Sequence, residues 1–212
     1  MNMKTTTSPR TTFPPRPLWT AFICILTALF TLQPASAVTL NPSADTRTDS
    51  ASSSPLSAAN TADLGVGPIL TNRYFRTYLA FDLSGLTTND TAVTVKLKLF
   101  NIAGEANTSA LPQVYTLFQV ASNWDGAAIP GPVGTALATV NITPASGTDT
   151  QDIEFSGTNL VNAFNNAIGT NLYLGIKTDK ENFANRSFTY FQSTEDPSKP
   201  TLSTTSANLP TV

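Results

Sequence analysis

Apolar and polar residues alternate with a period of two along much of this chain. Val93, Val95, Leu97 and Leu99 alternate with Thr94, Lys96 and Lys98, the pattern of a strand with one dry and one wet face. In a second strand Phe75, Thr77, Leu79, Phe81 and Leu83 fall on one side, and Tyr74, Arg76, Tyr78, Ala80 and Asp82 on the other. Further β-rich runs cover 114–120, 136–142, 152–155, 172–178 and 187–192, with weaker ones at 38–40 and 46–50. Residues 200–204 read as a closing edge strand, where a proline at the start is tolerated. Ser-Gly, Asn-Asp, Pro-Gly and Ser-Gly-Thr-Asp turn signals separate the runs. One segment breaks the alternation. Leu160, Val161, Phe164 and Ile168 follow helical spacing, with Thr158 or Asn159 as N-cap and Gly169 past the end.

These elements predict an all-β fold: an antiparallel β-sandwich, jelly-roll-like, with about nine or ten strands and one short helix near 159–168. Val93, Val95, Leu97, Leu99, Leu79 and Phe81 are expected to share one core. Residues 51–62 and the tail 205–212 are low in bulk and read as loose.

The apolar run from Leu18 to Leu32 has no alternation. It follows a leader carrying Lys4, Arg10 and Arg16 and precedes Ala35-Ser36-Ala37, the small-residue pattern of a signal-peptidase site. Fifteen helical residues span about 22 Å, short of the roughly 30 Å hydrocarbon core, so the run reads as a cleaved signal rather than a membrane span. Cys24 follows the bulky Ile23, whereas a lipid-attachment site needs a small residue there. The expected organisation is a signal peptide over 1–37, one β-sandwich domain over 38–204 and a tail over 205–212, with the product secreted and extracellular.

Composition narrows the chemistry. The chain has 212 residues, no histidine and one cysteine. That removes the Ser-His-Asp triad, imidazole metal ligands and a histidine base. Cleavage after Ala37 takes the cysteine and three positive charges, leaving 175 residues with nine basic and 14 acidic side chains. A net charge of −5 offers no basic stripe for nucleic acid. A chain of this size buries most of its apolar surface without disulfides.

Three segments carry a resemblance: Ala44-Asp45-Thr46-Arg47-Thr48-Asp49-Ser50, Arg76-Thr77-Tyr78-Leu79-Ala80-Phe81-Asp82-Leu83-Ser84-Gly85-Leu86, and Val95-Lys96-Leu97-Lys98-Leu99-Phe100. Ser122-Asn123-Trp124-Asp125, Leu172 to Lys177 and Phe188 to Glu195 continue it in order. Over about residues 40–204 the chain resembles the DNRLRE-type β-sandwich, a group overlapping the family 96 carbohydrate-binding modules. The Ser/Ala/Pro stretch from Ser52 to Ala59 replaces the Asn-Tyr-Gly turn common in that group, and Gly126 to Pro132 replaces its Thr-Trp-Asn element. The resemblance implies a non-catalytic module whose partner is an extracellular polysaccharide, with an acidic one such as alginate as the ligand type.

Sugars present alternating CH and OH surfaces, which aromatic rings stack on and charged or amide groups hydrogen-bond. The candidate ligand-binding residues on outward faces are Tyr74, Arg76, Tyr78, Lys96, Lys98, Tyr173, Lys177 and Tyr190. Arg76, Lys96 and Lys98 suit carboxylated sugars through charge-assisted contacts, and their truncation is expected to cost stability only about 0.5 kcal/mol or less. Trp124 reads as a buried anchor. Asp45, Asp49, Asp63, Asp125, Asp149 and Asp152 supply the oxygen ligands a structural calcium takes, although no EF-hand spacing occurs. No nucleophile, base and oxyanion set assembles, so catalysis is not expected. Two function classes remain open: a secreted carbohydrate-binding module, and a structural protein of an extracellular matrix, biofilm or surface layer.

Overall fold

The computed structural model describes residues 37–51, 63–87, 89–100, 112–120, 134–143, 151–182, 188–194 and 196–205, with backbone alone at Asp63, Leu99 and Phe100. The leader before Ala37, Trp124 and Asp125 lie outside these residues. Among the described residues no helix is long and apolar enough to cross a membrane.

The chain runs β1 (Thr39–Leu40), β2 (Ala44–Asp49), β3 (Asp63–Leu70), β4 (Arg73–Asp82), β5 (Val93–Phe100), β6 (Gln113–Gln119), β7 (Ala136–Ile142) and β8 (Asp152–Ser156). Helix α1 (Thr158–Ala167) follows, then β9 (Asn171–Thr178), β10 (Thr189–Gln192) and β11 (Thr201–Thr204). Among the described residues every strand pairing is antiparallel. One layer orders β2-β4-β9-β6-β7. The other has β8 on one side of β5, with β11 and β10 on its other side, β1 beyond β11 and the first half of β3 beyond β10.

Strand β3 joins the layers. Its Leu64–Val66 stretch pairs with β10, whereas Gly67 and the residues after it pair with β4. The bend falls at Gly67 (φ 118°), followed by Pro68 and a register shift before Leu70. A glycine at positive φ and a proline without an N–H let the strand leave one ladder for the next. Hydrogen bonding therefore makes one curled sheet of two facing layers.

Of the expected core, Leu79 and Phe81 meet Val93, Val95 and Leu97, while the Leu99 side chain lies outside the described ones. Tyr115, Leu117, Leu172, Leu174, Ile176, Ile153, Phe155, Phe191 and Leu202 complete it. Each large apolar side chain so buried contributes about 1.5–3 kcal/mol. Helix α1 buries Leu160, Ala163, Phe164 and Ala167 against it. Asn165 ties the helix to the β4–β5 connection: its Oδ1 accepts from the Asp90 N–H (2.8 Å) and its Nδ2 donates to the Asp90 carbonyl (2.9 Å).

The structure corrects several details. Among the described residues eleven strands form, and the one that was not read as a strand from the sequence is β3. Strand β11 is no edge, since β5 and β1 flank it. Gly157 occupies the helix N-cap and no side chain caps it, while Gly169 follows the end with φ 81° as expected. Two outward candidates are covered. Tyr78 is 2% exposed, because the outer face of its layer carries a second apolar cluster with Ala80, Phe118 and Val120. Tyr190 is 6% exposed, because the β3 crossover brings Phe75 over it.

Candidate functional site

Strands β4 and β9 set the candidate face. Thr77 and Leu79 of β4, paired with Ile176 and Leu174 of β9, point inward and are buried. Their sequence neighbours point outward from the same layer, so Tyr74, Arg76, Tyr78, Tyr173 and Lys177 share one surface. Lys96 and Lys98 alternate with the buried Val95 and Leu97 of the other layer. They therefore face away from the opposite side of the sandwich. The basic residues the sequence grouped together are divided between two surfaces.

On the first surface Arg76 is locked. Its Nε donates to Glu181 Oε1 (2.7 Å) and its Nη2 to Glu181 Oε2 (2.8 Å), with the side chains 20% and 14% exposed. The Glu181 carboxylate raises the guanidinium's pKa above its ordinary value, against the opposing effect of burial. The guanidinium also lies 4.8 Å from the Tyr74 ring centre. It covers one face of that ring, so a sugar stacking on Tyr74 takes the other.

Tyr78 supports this surface from below. Its ring meets Phe118 edge-on at 6.3 Å, and burial raises its phenol pKa while a hydrogen bond with Thr48 opposes the rise. Phe118 in turn lies on Gly175, opposite Tyr78 in the register, where an added Cβ would fall within the Phe118 ring. Tyr173 stands beside Ala80, half-buried, and its hydroxyl accepts a hydrogen bond from Asn171 Nδ2 (3.1 Å). Tyr74 and Tyr173 are thus partly exposed rings at two ends of one strand pair. Tyr173 is level with Ala80, six residues beyond Tyr74, which separates the rings by about 20 Å.

Tyr190 belongs to a different place. It packs on Phe188 (4.9 Å) and Phe75 (6.5 Å), with the Arg47 guanidinium 5.5 Å away. Gly65, its partner in β3, leaves the space that Phe75 fills. On the second surface Lys96 Nζ reaches Asp152 Oδ2 (2.7 Å) and Glu154 Oε1 (3.3 Å), and these carboxylates raise its pKa.

Of the carboxylates expected to hold calcium, only those of Asp45, Asp49 and Asp152 are described, and each has other partners. Asp45 Oδ2 accepts from the Thr194 N–H (2.8 Å), Asp49 is held by Arg73 and the Ala51 N–H, and Asp152 by Lys96. Asp125 and Asp149 lie outside the described residues. Among the described residues no three acidic side chains converge. Sequence reasoning missed Glu181, whose pairing with Arg76 spans 105 residues and leaves no local signal.

No family model matches the chain, and no curated protein does. Among solved structures it is similar to the CBM22-1–GH10 modules of endo-1,4-β-D-xylanase 10B from Clostridium thermocellum, complexed with xylohexaose. The identity is 11%, the TM-score 0.31, and the match covers 82% of this chain. It spans 28% of that structure's length.

Proposed function

We propose that this chain is a secreted, non-catalytic carbohydrate-binding module, released by cleavage after Ala37, whose ligand is an extracellular polysaccharide lying along the outer face of β4 and β9. The observation that carries this reading is the pair of partly exposed rings, Tyr74 and Tyr173, on one sheet surface with Arg76, Glu181 and Lys177 beside them. The separation accommodates several sugar rings of an extended chain. Tyrosine rings take the CH faces of pyranoses, while the Arg76–Glu181 pair holds donors and acceptors in fixed directions toward hydroxyls.

The test is affinity electrophoresis of the purified protein through gels containing neutral and acidic polysaccharides. At least one polysaccharide is expected to retard it. Tyr74→Ala and Tyr173→Ala should each weaken that interaction about three- to tenfold, the magnitude of one aromatic contact. Retardation by none of them would remove the binding reading.

One observation favours the structural-protein reading instead. The edge strands β2 and β8 carry charges, and β1 is two residues long, but β7 has seven residues with neither a charge nor a proline. Such an edge lacks the charged or proline residues that discourage strand addition. Concentration-dependent assembly in light scattering, abolished by Thr139→Lys at an exposed position of β7, would support that reading.

A further inference from the structure

The second surface holds a feature that the sequence did not resolve. A cleft of about 200 Å³ is lined by Lys96, Lys98, Asp152, Ser198, Lys199 and Thr201. Its charge follows from the register. Glu154 stands opposite Lys96 and Asp152 opposite Lys98 in the β5–β8 ladder. Lys96 takes both carboxylates, however, reaching diagonally to Asp152 at 2.7 Å as well as to Glu154 at 3.3 Å. Lys98 thereby loses the acid directly across from it. On its other side the approach to β11 brings Ser198 and Lys199 to the same cleft. Among the described residues neither Lys98 nor Lys199 has an ion pair, whereas Arg73, Arg76, Lys96 and Lys180 all do. Three ammonium groups thus line the cleft with one carboxylate, in a chain whose overall charge is negative.

We propose that this cleft is an anion subsite, taking a carboxylate or sulfate-ester oxyanion carried by a sugar residue. Lys98 and Lys199 supply charge-assisted contacts to it, and the Ser198 and Thr201 hydroxyls hydrogen-bond the adjoining sugar oxygens. The volume lies below the roughly 300–1,000 Å³ of pockets that enclose a whole small molecule. It fits one charged residue of a chain that runs on across an open surface. Lys96, neutralised by its two acids, shapes the wall and fixes Asp152. The proposal deepens the carbohydrate-binding reading and rests on it, but the cleft is separate from the Tyr74–Tyr173 surface.

The experiment is an amide NMR titration of the purified protein with tri-galacturonate, with a sulfated galactose trisaccharide and with a neutral xylo-oligosaccharide. Either anionic ligand is expected to shift the amides of Lys98, Ser198, Lys199 and Thr201, and the stronger of the two identifies the oxyanion. Lys98→Gln with Lys199→Gln should weaken that ligand at least tenfold, while Lys180→Gln, which removes one equal charge elsewhere, should leave it within about twofold. Shifts confined to Tyr74, Arg76 and Tyr173 would overturn the cleft and keep the module. Equal losses in the Lys180 and cleft variants would overturn it as non-specific attraction. Absence of shifts with all three ligands, together with no retardation by any polysaccharide, would overturn both readings.

Discussion

At the scale of single residues, the side of a strand does not determine whether a charge is available. Arg76 lies at a polar position, where truncation was expected to cost little, yet both of its oriented nitrogens bind Glu181 in a part-buried pair. Arg76→Ala leaves the Glu181 carboxylate, 14% exposed, without its partner. The expected loss is about 1.5–3 kcal/mol, and chemical denaturation of both forms measures it. Asp49 gives a pH-dependent counterpart. Hydrogen bonds from Arg73 hold its carboxyl below the usual 3.8; burial opposes this, and the Ala51 N–H adds to it. A carboxylate depressed in the folded chain adds stability above pH 3.8, and that share disappears as pH falls below 3.8 through the lowered value. Arg73→Ala removes the main cause, so Asp49 protonates at higher pH. The acid-unfolding midpoint, followed by tryptophan-independent far-UV circular dichroism, should move upward. An unchanged midpoint would show that the pair contributes nothing to folding.

At the scale of elements, β9 illustrates how a glycine can be required by packing alone. Gly175 has no unusual backbone angle among those with positive φ; it is small because the Phe118 ring occupies the place of a side chain. Gly175→Ala should displace that ring and cost about 1–3 kcal/mol by overpacking. Gly175→Ala with Phe118→Leu should recover part of the loss, and a thermal melt of the two variants distinguishes them. The alternation of Val93 to Leu97 and of Phe75 to Phe81 was readable because one face of each strand meets the core. Helix α1 was readable from Leu160, Val161 and Phe164. Strand β3 was not, because it changes layers at Gly67-Pro68 and its residues serve a bend as well as a ladder. Tyr78 and Tyr190 were misplaced for a related reason: period two separates the faces of a strand but says nothing about what covers the second face. The Phe118 and Phe75 rings that cover them come from segments 40 and 115 residues away in sequence. The cleft with Lys199 was hidden likewise, since Lys98 and Ser198 become neighbours only once β11 pairs with β5.

At the scale of the whole molecule, the two proposed binding surfaces lie on opposite sides of one sandwich, with layers about 10 Å apart and the core between them. A module with a single binding face can only anchor what it is attached to. One with two faces bridges two chains, or two distant stretches of one, and that property joins the binding and matrix readings. Mixing the purified protein with an acidic polysaccharide should therefore raise light scattering as the ratio of protein to polysaccharide increases. At excess protein each chain is coated and bridges are lost, so scattering should pass through a maximum and decline. Lys98→Gln with Lys199→Gln removes one surface and should abolish the maximum while gel retardation through Tyr74 and Tyr173 persists. Thr139→Lys, at an exposed position of the β7 edge, should leave the maximum in place, because bridging needs no contact between protein molecules. Loss of the maximum in Thr139→Lys instead would assign the cross-linking to strand addition at β7, and a scattering curve that is flat at every ratio would limit the module to one surface.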